Sequence, residues 1–525
     1  MRPSLVTVTM GRRAEAVALT RFDEAATPVP PAPEDIVASD SLARNTLFAT
    51  ANTILLAGFA AFLTLYLVRA LDPRGYGLYT LALAIGALFA LVMDFGISSS
   101  AARFIAERRG DRRAIAAYIA DALRLKIAIA GGVGLVLFAA AGEIADLYGK
   151  PGLTWPLRGV ALALVGSSLL QLYGAALIAQ ARLPVGFLMT FAQSGGFLVF
   201  GVVLVSLGAG ATGAAFGRAI GYAFGLAVGT VMIVRLFGRS ALAIRSAKGN
   251  TRQIAAYAGA LAVVEGAYLL FDQLDALLIG AYLSSAAVGL FQAPFGLTVF
   301  MHYPAGVVAT SVAPRVAVHQ EHGSDVGVFA HAIRLLIVGY AALLAPLVVW
   351  ATPIVDLLLG SNYERSASVL RAFAPYVFLA AVGTLLSPAA NYLGRARQRL
   401  PIALAAVAIN LVVDVILIPR IGIVAGAIGT DLALLVYVPA HLWICASATG
   451  LDLRPLGLAL VRSLAAAAAM AGVLLAFGTT DLSLLDWLLG GAASVVVYLA
   501  VLFVLHELTV GELRVARAWV SARFG

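Results

Sequence analysis

The sequence predicts an all-α polytopic membrane protein of about fourteen transmembrane helices: two six-helix lobes related by a parallel repeat, plus two C-terminal helices. Three observations carry this. The 525 residues are 61% hydrophobic and only 12% charged, where a soluble domain holds about 25% charged residues. No water-soluble fold of this length hides so much apolar surface, so lipid must be the solvent for most of the chain. The apolar residues are gathered in runs of about 20, the length a helix needs to cross the hydrocarbon. Finally, the second half of the chain repeats the first.

The runs lie at 46–68, 77–95, 118–142, 159–179, 186–208, 212–234, 254–282, 287–312, 333–355, 367–389, 401–419, 422–446, 457–477 and 485–505. All are too long for strands, and Gly and Pro inside them are tolerated in membrane helices. The short gaps at 208–212 and 419–422 predict helical hairpins. The single cysteine, Cys445, excludes an internal disulfide.

The repeat centres on Leu71-Asp-Pro-Arg-Gly-Tyr-Gly-Leu-Tyr79, which recurs more weakly as Leu283-Ser-Ser-Ala-Ala-Val-Gly-Leu-Phe291. Gly77 maps to Gly289 at an offset of 212, and Ser99 and Arg103 map to Ser311 and Arg315 at the same offset. Leu147 and Gly149 land near Leu359 and Gly360, and Gly213-Ala214 lands on Gly426-Ala427. Registers that agree this closely argue for duplication. Each copy holds six helices, an even number, so the copies run parallel about an axis along the membrane normal, and two such lobes enclose a central cavity that alternates its access.

Loop charge sets orientation. One set of loops holds Arg103, Arg108, Arg109, Arg112 and Arg113, then Arg235, Arg239, Arg245, Lys248 and Arg252, then Arg395, Arg397 and Arg399; the alternate loops are poor in Lys and Arg. Both termini are therefore expected in the cytoplasm. The expected divisions are a disordered cytoplasmic tail at 1–43, the first lobe at 44–235, a cytoplasmic linker at 236–252, the second lobe at 253–447, the last two helices at 448–510 and a tail at 511–525. No cleaved signal peptide is expected. The net charge of +9 is spread over short loops, which argues against nucleic acid as a partner.

Charges inside the apolar runs are costly in lipid and mark function. Those of the first lobe are mostly cationic: Arg124, Lys126 and Arg218. Arg124 and Lys126 either snorkel to the headgroups or join Arg218 around an anionic cargo such as a phosphate or pyrophosphate. Those of the second lobe are acidic. Counted from the cytoplasmic helix ends, Glu265 in the seventh run, Asn410 and Asp414 in the eleventh, and Thr430 and Asp431 in the twelfth reach one depth. Such a set either holds a sodium ion or a proton or is a structural hydrogen-bond cluster. Asp272 and Asp275 read as nearer the external end and wet. Asp94-Phe95-Gly96 reads as a helix stop, and His319, His322 and His331 lack the spacing of a metal site. There is no P-loop and no sign of a cofactor, so neither ATP hydrolysis nor any other enzymatic activity is expected.

These residues together resemble the polysaccharide (O-antigen) flippases of the multidrug/oligosaccharidyl-lipid/polysaccharide exporter superfamily. The resemblance rests on Leu71–Tyr79, Asp94-Phe-Gly-Ile97 with Arg103-Phe-Ile-Ala-Glu107, Leu359-Gly-Ser-Asn-Tyr363 and Ile418-Pro-Arg-Ile-Gly-Ile-Val-Ala-Gly-Ala427, and covers about 44–510. Pro73 and Arg74 stand where the family commonly has acids. The resemblance implies a bacterial inner-membrane exporter that moves undecaprenyl-pyrophosphate-linked oligosaccharide outward for surface polysaccharide, O-antigen or lipopolysaccharide synthesis. Its implied partners are that lipid-linked oligosaccharide, membrane lipids, a polysaccharide polymerase and chain-length proteins. The related lipid II flippases carry a cation site on helices seven, eleven and twelve, which Asn410, Asp414 and Thr430 resemble. A cation-coupled multidrug exporter of the same superfamily is the competing reading, and an integral-membrane polymerase or glycosyltransferase the third; the latter lacks the large loop such catalysis needs.

Overall fold

The computed structural model describes residues 56–108, 110–180, 182–243, 270–317 and 326–508, all within one compact unit that spans Asn52–Gly525. Every regular element among them is helical. Helix α1 (Leu56–Ala70) leads to Asp72, whose carboxylate accepts from the Gly75 amide and caps α2 (Pro73–Asp94). Pro73 stands in the first turn, where a missing N–H costs nothing. Phe95 and Gly96 adopt left-handed backbone (φ 42° and 72°) and stop α2, as the Asp-Phe-Gly reading expected; α3 (Ile97–Ala106) follows. Asp111 caps α4 (Arg112–Leu147) through the Arg113 and Ala114 amides. Then come α5 (Thr154–Ala179), α6 (Leu183–Leu204) and α7 (Gly210–Phe237).

The second half contains α8 (270–282), α9 (Ser285–Met301), α10 (Tyr303–Val312) and α11 (Val326–Val349). The short α12 (Ala351–Leu358) and α13 (Ser366–Ala372) precede α14 (Ala374–Tyr392). The expected span at 367–389 thus starts later, at Ala374, with Pro375 in its first turn. Next come α15 (Ala396–Ile421) and α16 (Val424–Thr449), joined at Gly422 (φ 76°) as the hairpin expected there. Last are α17 (Arg454–Phe477) and α18 (Leu484–Val504), the latter opened by a Ser483–Asp486 capping box.

Ten helices among the described residues are long and apolar enough to cross a bilayer, eleven if the bent pair at 285–317 counts as one span. The expected fourteen is not reached within these residues; 46–55 and 254–269, on which the count also rests, lie outside them. The longest of the ten, Pro184–Phe237, folds back on itself at Gly208 (φ 87°) and Gly210 (φ 53°), giving the expected α6–α7 hairpin. Its seam is a glycine ladder. A Cβ on Gly217 would lie 2.5 Å from the Gly201 Cα, one on Gly221 2.7 Å from the Phe197 Cβ, and one on Gly225 2.7 Å from the Gln193 Cβ. In lipid nothing hydrophobic drives helices together, so close backbone approach between small residues supplies the attraction.

The two halves meet through the repeated motif itself. A Cβ on Gly77 would sit 1.8 Å from the Ser285 carbonyl oxygen, and one on Gly289 1.9 Å from that of Pro73. The 212-residue offset carries Pro73 onto Ser285 and Gly77 onto Gly289, so the two contacts are one contact seen from each side of a pseudo-two-fold. That is the parallel repeat written in atoms. Further ties cross between the halves at this end. Arg69 donates to the Leu358 carbonyl (3.1 Å) and to that of Leu357. The Tyr363 hydroxyl donates to the Leu71 carbonyl (3.1 Å). Lys150 donates to the Gly280 carbonyl (2.5 Å).

The last two helices attach to α11. Trp350 packs edge-on to Trp487 (4.9 Å) and donates to the Gly478 carbonyl (3.1 Å). Tyr498 donates to the Val338 carbonyl (2.6 Å). The buried carboxylate of Glu507 takes Arg334 of α11 (2.6 Å) and Arg462 of α17 (3.2 Å).

Replacing Gly221 by Leu should pry the α6–α7 seam apart at a cost of about 1–3 kcal/mol, typical of overpacking. Thermal unfolding of the purified protein in detergent should drop by several degrees. Gly131→Ala, where the added methyl meets nothing within 4 Å, should leave the transition where it was; equal transitions for the two variants would refute the seam.

Candidate transport site

Among the described residues, one polar cluster gathers about Arg218 and another about Asp275. The first lines a cavity of about 340 Å³ walled by α1, α2, α6 and α7. Gly217 and Gly221 turn one face of α7 to α6, and the neighbouring face, with Arg218 and Tyr222 four residues apart, looks into the cavity. The Arg218 guanidinium lies over the Phe197 ring (5.5 Å) and near that of Tyr222 (5.8 Å), with the Tyr79 and Tyr222 hydroxyls beside it. Thr64, Thr80, Gln193 and Ser194 add hydrogen-bonding groups to the wall. Among the described residues no carboxylate lies within 4 Å of Arg218. Aromatic faces and hydroxyls hold the guanidinium without neutralising it, so its charge remains for an anion.

The other two expected cations lie elsewhere. Neither Arg124 nor Lys126 lines this cavity. Lys126 is fully buried; it pairs with Asp94 and donates to the Ser168 carbonyl (2.7 Å) and hydroxyl (3.1 Å). Asp94 also accepts from Ser98 (2.7 Å), and Ser168 donates to the Met93 carbonyl (3.2 Å). The network stitches the end of α2 to α3, α4 and α5. Arg124, two residues before Lys126, is exposed.

The second site joins α8, α15 and α16. The Asn410 amide donates to Asp275 Oδ1 (3.0 Å), and the Thr430 hydroxyl donates to Asp275 Oδ2 (2.8 Å). Asp414, one turn beyond Asn410, brings its carboxylate beside that of Asp275. All four are buried; Asn410 Oδ1 lacks a hydrogen-bond partner, and the Asp414 oxygens meet no donor apart from a proton shared with Asp275. Gly429 makes room: a Cβ there would lie 2.4 Å from Asp414 Oδ1.

Three of the five expected residues therefore come together. Glu265 lies outside the described residues. Asp431 is half-buried, beside the Tyr376 backbone, with one carboxylate oxygen unpartnered. Asp275, read from the sequence as wet, is instead the buried centre of the cluster. The depth count from the cytoplasmic ends misplaced it. Measured from the opposite ends, Asp275 lies seven residues from the end of α8, Asp414 seven from the end of α15, and Thr430 six from the start of α16. Two adjacent buried carboxylates repel when both are ionised, so one of them must be protonated or a cation must lie between them. Carboxylate, amide and hydroxyl oxygens are donors suited to a hard cation. Among the described residues no His, Cys, Asp or Glu side chains cluster as a metal site; His331 is exposed, and His319 and His322 lie outside those residues.

The fold has known counterparts. The lipid II flippase MurJ in an inward closed conformation superposes with a TM-score of 0.71 at 13% identity, over 88% of this chain and 99% of that one. A multidrug resistance MATE family transporter of the MOP superfamily, in an inward-facing conformation, superposes with a TM-score of 0.61 at 15% identity, over 75% and 94% of the two chains. No curated protein matches the sequence. The family model described as "Polysaccharide biosynthesis protein" matches residues 42–318, more than half of the length. This multi-pass membrane protein belongs to the polysaccharide biosynthesis protein family.

Proposed function

We propose that the protein is a flippase that moves undecaprenyl-pyrophosphate-linked oligosaccharide outward across the bacterial inner membrane, for assembly of a surface polysaccharide such as O-antigen. The observation that carries this reading is Arg218: an uncompensated guanidinium in a cavity inside an apolar lobe, in a chain of the polysaccharide biosynthesis family. Arg218 would take the pyrophosphate through bidentate hydrogen bonds, while Lys126 is spent on Asp94. The MATE-like fold also suits a drug exporter, but a cationic drug gains nothing beside Arg218. A downstream polymerase and chain-length proteins fit as partners of the exported glycan.

With both termini in the cytoplasm, the ties at Gly77 and Gly289 would close the external side, and opening there would require the lobes to separate about that crossing. Asp275, Asn410, Asp414 and Thr430 would hold a sodium ion or a proton, whose positive charge relieves the carboxylate pair. With both carboxylates ionised, Asp275 and Asp414 push α8 from α15; neutralised, they let the helices close. A ligand biases a conformational equilibrium only by its differential affinity for the two states, and this cluster differs between them if α8 moves against α15 and α16.

Arg218→Ala should abolish surface polysaccharide at unchanged protein level. The loss of a charged hydrogen bond of about 1.5–3 kcal/mol weakens cargo binding about tenfold or more. Arg218→Lys should restore part of it, and normal polysaccharide in the alanine variant would remove Arg218 from the cargo site.

Asp275→Asn and Asp414→Asn should each leave a folded protein whose flipping in proteoliposomes no longer responds to an imposed sodium or proton gradient. A wild-type response in both would leave the cluster a structural one. We also infer that both termini are cytoplasmic: a periplasm-active reporter fused after Gly525 should stay silent, and activity there would overturn the orientation.

A further inference from the structure

Beside the Gly77–Gly289 crossing, at the end that cytoplasmic termini would put outside, lies a second cavity of about 400 Å³. Two cations line it, Arg74 at the start of α2 and Lys150 after α4, with Ser284 and Ser285 at the start of α9 opposite them. Lys150 donates to the carbonyls of Gly280 (2.5 Å) and Tyr148 (3.1 Å). Among the described residues no carboxylate comes within 4 Å of Lys150 or Arg74; Asp72 of the same segment is engaged by the Gly75 amide. The Lys150 ammonium is partly desolvated, which holds its pKa below the usual lysine range. A partly desolvated ammonium held by carbonyls and an aromatic ring, with no carboxylate beside it, gains from an anion.

We propose that Arg74 and Lys150 form a second anion site, for a phosphate or pyrophosphate group, and that its occupation draws Lys150 off the Gly280 carbonyl and loosens the external tie between the lobes. The Gly280 carbonyl belongs to α8 of the second half, whereas Lys150 belongs to the first. An anion held between Arg74 and Lys150 that pulls the ammonium away from the Gly280 carbonyl couples its binding to separation of the lobes, and the coupling is reciprocal. The site depends on the anionic-cargo reading only for the identity of its occupant. Either the pyrophosphate of the carrier at its point of exit or the phosphate of a lipid headgroup presents the same chemistry.

The crossing can be read by a thiol at Leu81, a fully buried residue that packs against Gly280 across the lobes. Leu81→Cys is placed in a Cys445→Ala background, and its reaction with a charged methanethiosulfonate is timed in phosphatidylcholine nanodiscs. Inorganic pyrophosphate should raise the rate saturably, by about fivefold or more for a coupling of 1 kcal/mol and upward. Adding Lys150→Ala should give a high rate that no longer responds. Adding Arg74→Ala, which removes no cross-lobe tie, should keep the low basal rate and shift half-saturation about tenfold. A rise with phosphatidylglycerol nanodiscs and not with pyrophosphate assigns the site to a lipid headgroup; the converse assigns it to the cargo. No rise with either, or an unshifted response in Arg74→Ala, overturns the site. An Arg218→Ala protein should respond like its parent; if its response vanishes, the effect belongs to the α7 cavity and the second site is refuted, whatever the fate of the cargo reading.

Discussion

The structure depends on two backbones that touch. At Gly77 and Gly289 the second helix of each repeat passes so close to its counterpart that no side chain fits between them. Hydrocarbon offers separated helices nearly the same environment as packed ones, so the halves are held by contact area, dipoles and a few hydrogen bonds. The ties gathered around the crossing are of that kind: an arginine, a lysine and a tyrosine that donate to backbone carbonyls. Each is modest in free energy and replaceable by water, so the contact holds without being permanent. Under the proposed alternating access, such an interface could open and reclose.

Charge is divided between the halves. The first keeps an arginine with no carboxylate beside it; the second keeps two adjacent carboxylates that cannot both be ionised without a cation. Because the two lie in different lobes, they do not neutralise one another, and each can serve a separate ligand. The Lys126–Asp94 pair shows the alternative outcome. A buried cation with a carboxylate in reach becomes part of the scaffold, since removing either partner would strand a charge in a medium of low dielectric.

Much of this was legible in the residues. Apolar runs of bilayer length, the 212-residue register and the common level of Asn410, Asp414 and Thr430 follow from composition, spacing and helical rise. Other features were hidden for physical reasons. Depth from a helix's cytoplasmic end depends on where that end lies, which composition does not fix, so the count sets Asp275 at the rim although its carboxylate meets Asn410 and Thr430. The Lys126–Asp94 pair is a tertiary contact between residues 32 apart, with no periodicity to mark it. The glycines at 217, 221, 225 and 229 did carry a signal, the four-residue spacing of a close helix contact, which hydropathy alone does not weigh. Lysine or arginine that donates to a distant carbonyl leaves no pattern, because every residue has a carbonyl.

The attachment of α17 and α18 has a consequence of its own. Trp350, Tyr498 and Glu507 bind the pair to α11 at several heights, so the second lobe carries two helices that the first lacks. In a viscous bilayer, drag grows with the perimeter a body presents to lipid. When two unequal bodies turn about a shared contact, the surrounding membrane yields more to the smaller one. If the lobes turn as proposed, the second would be the anchored partner and the arginine-bearing lobe would do most of the swinging.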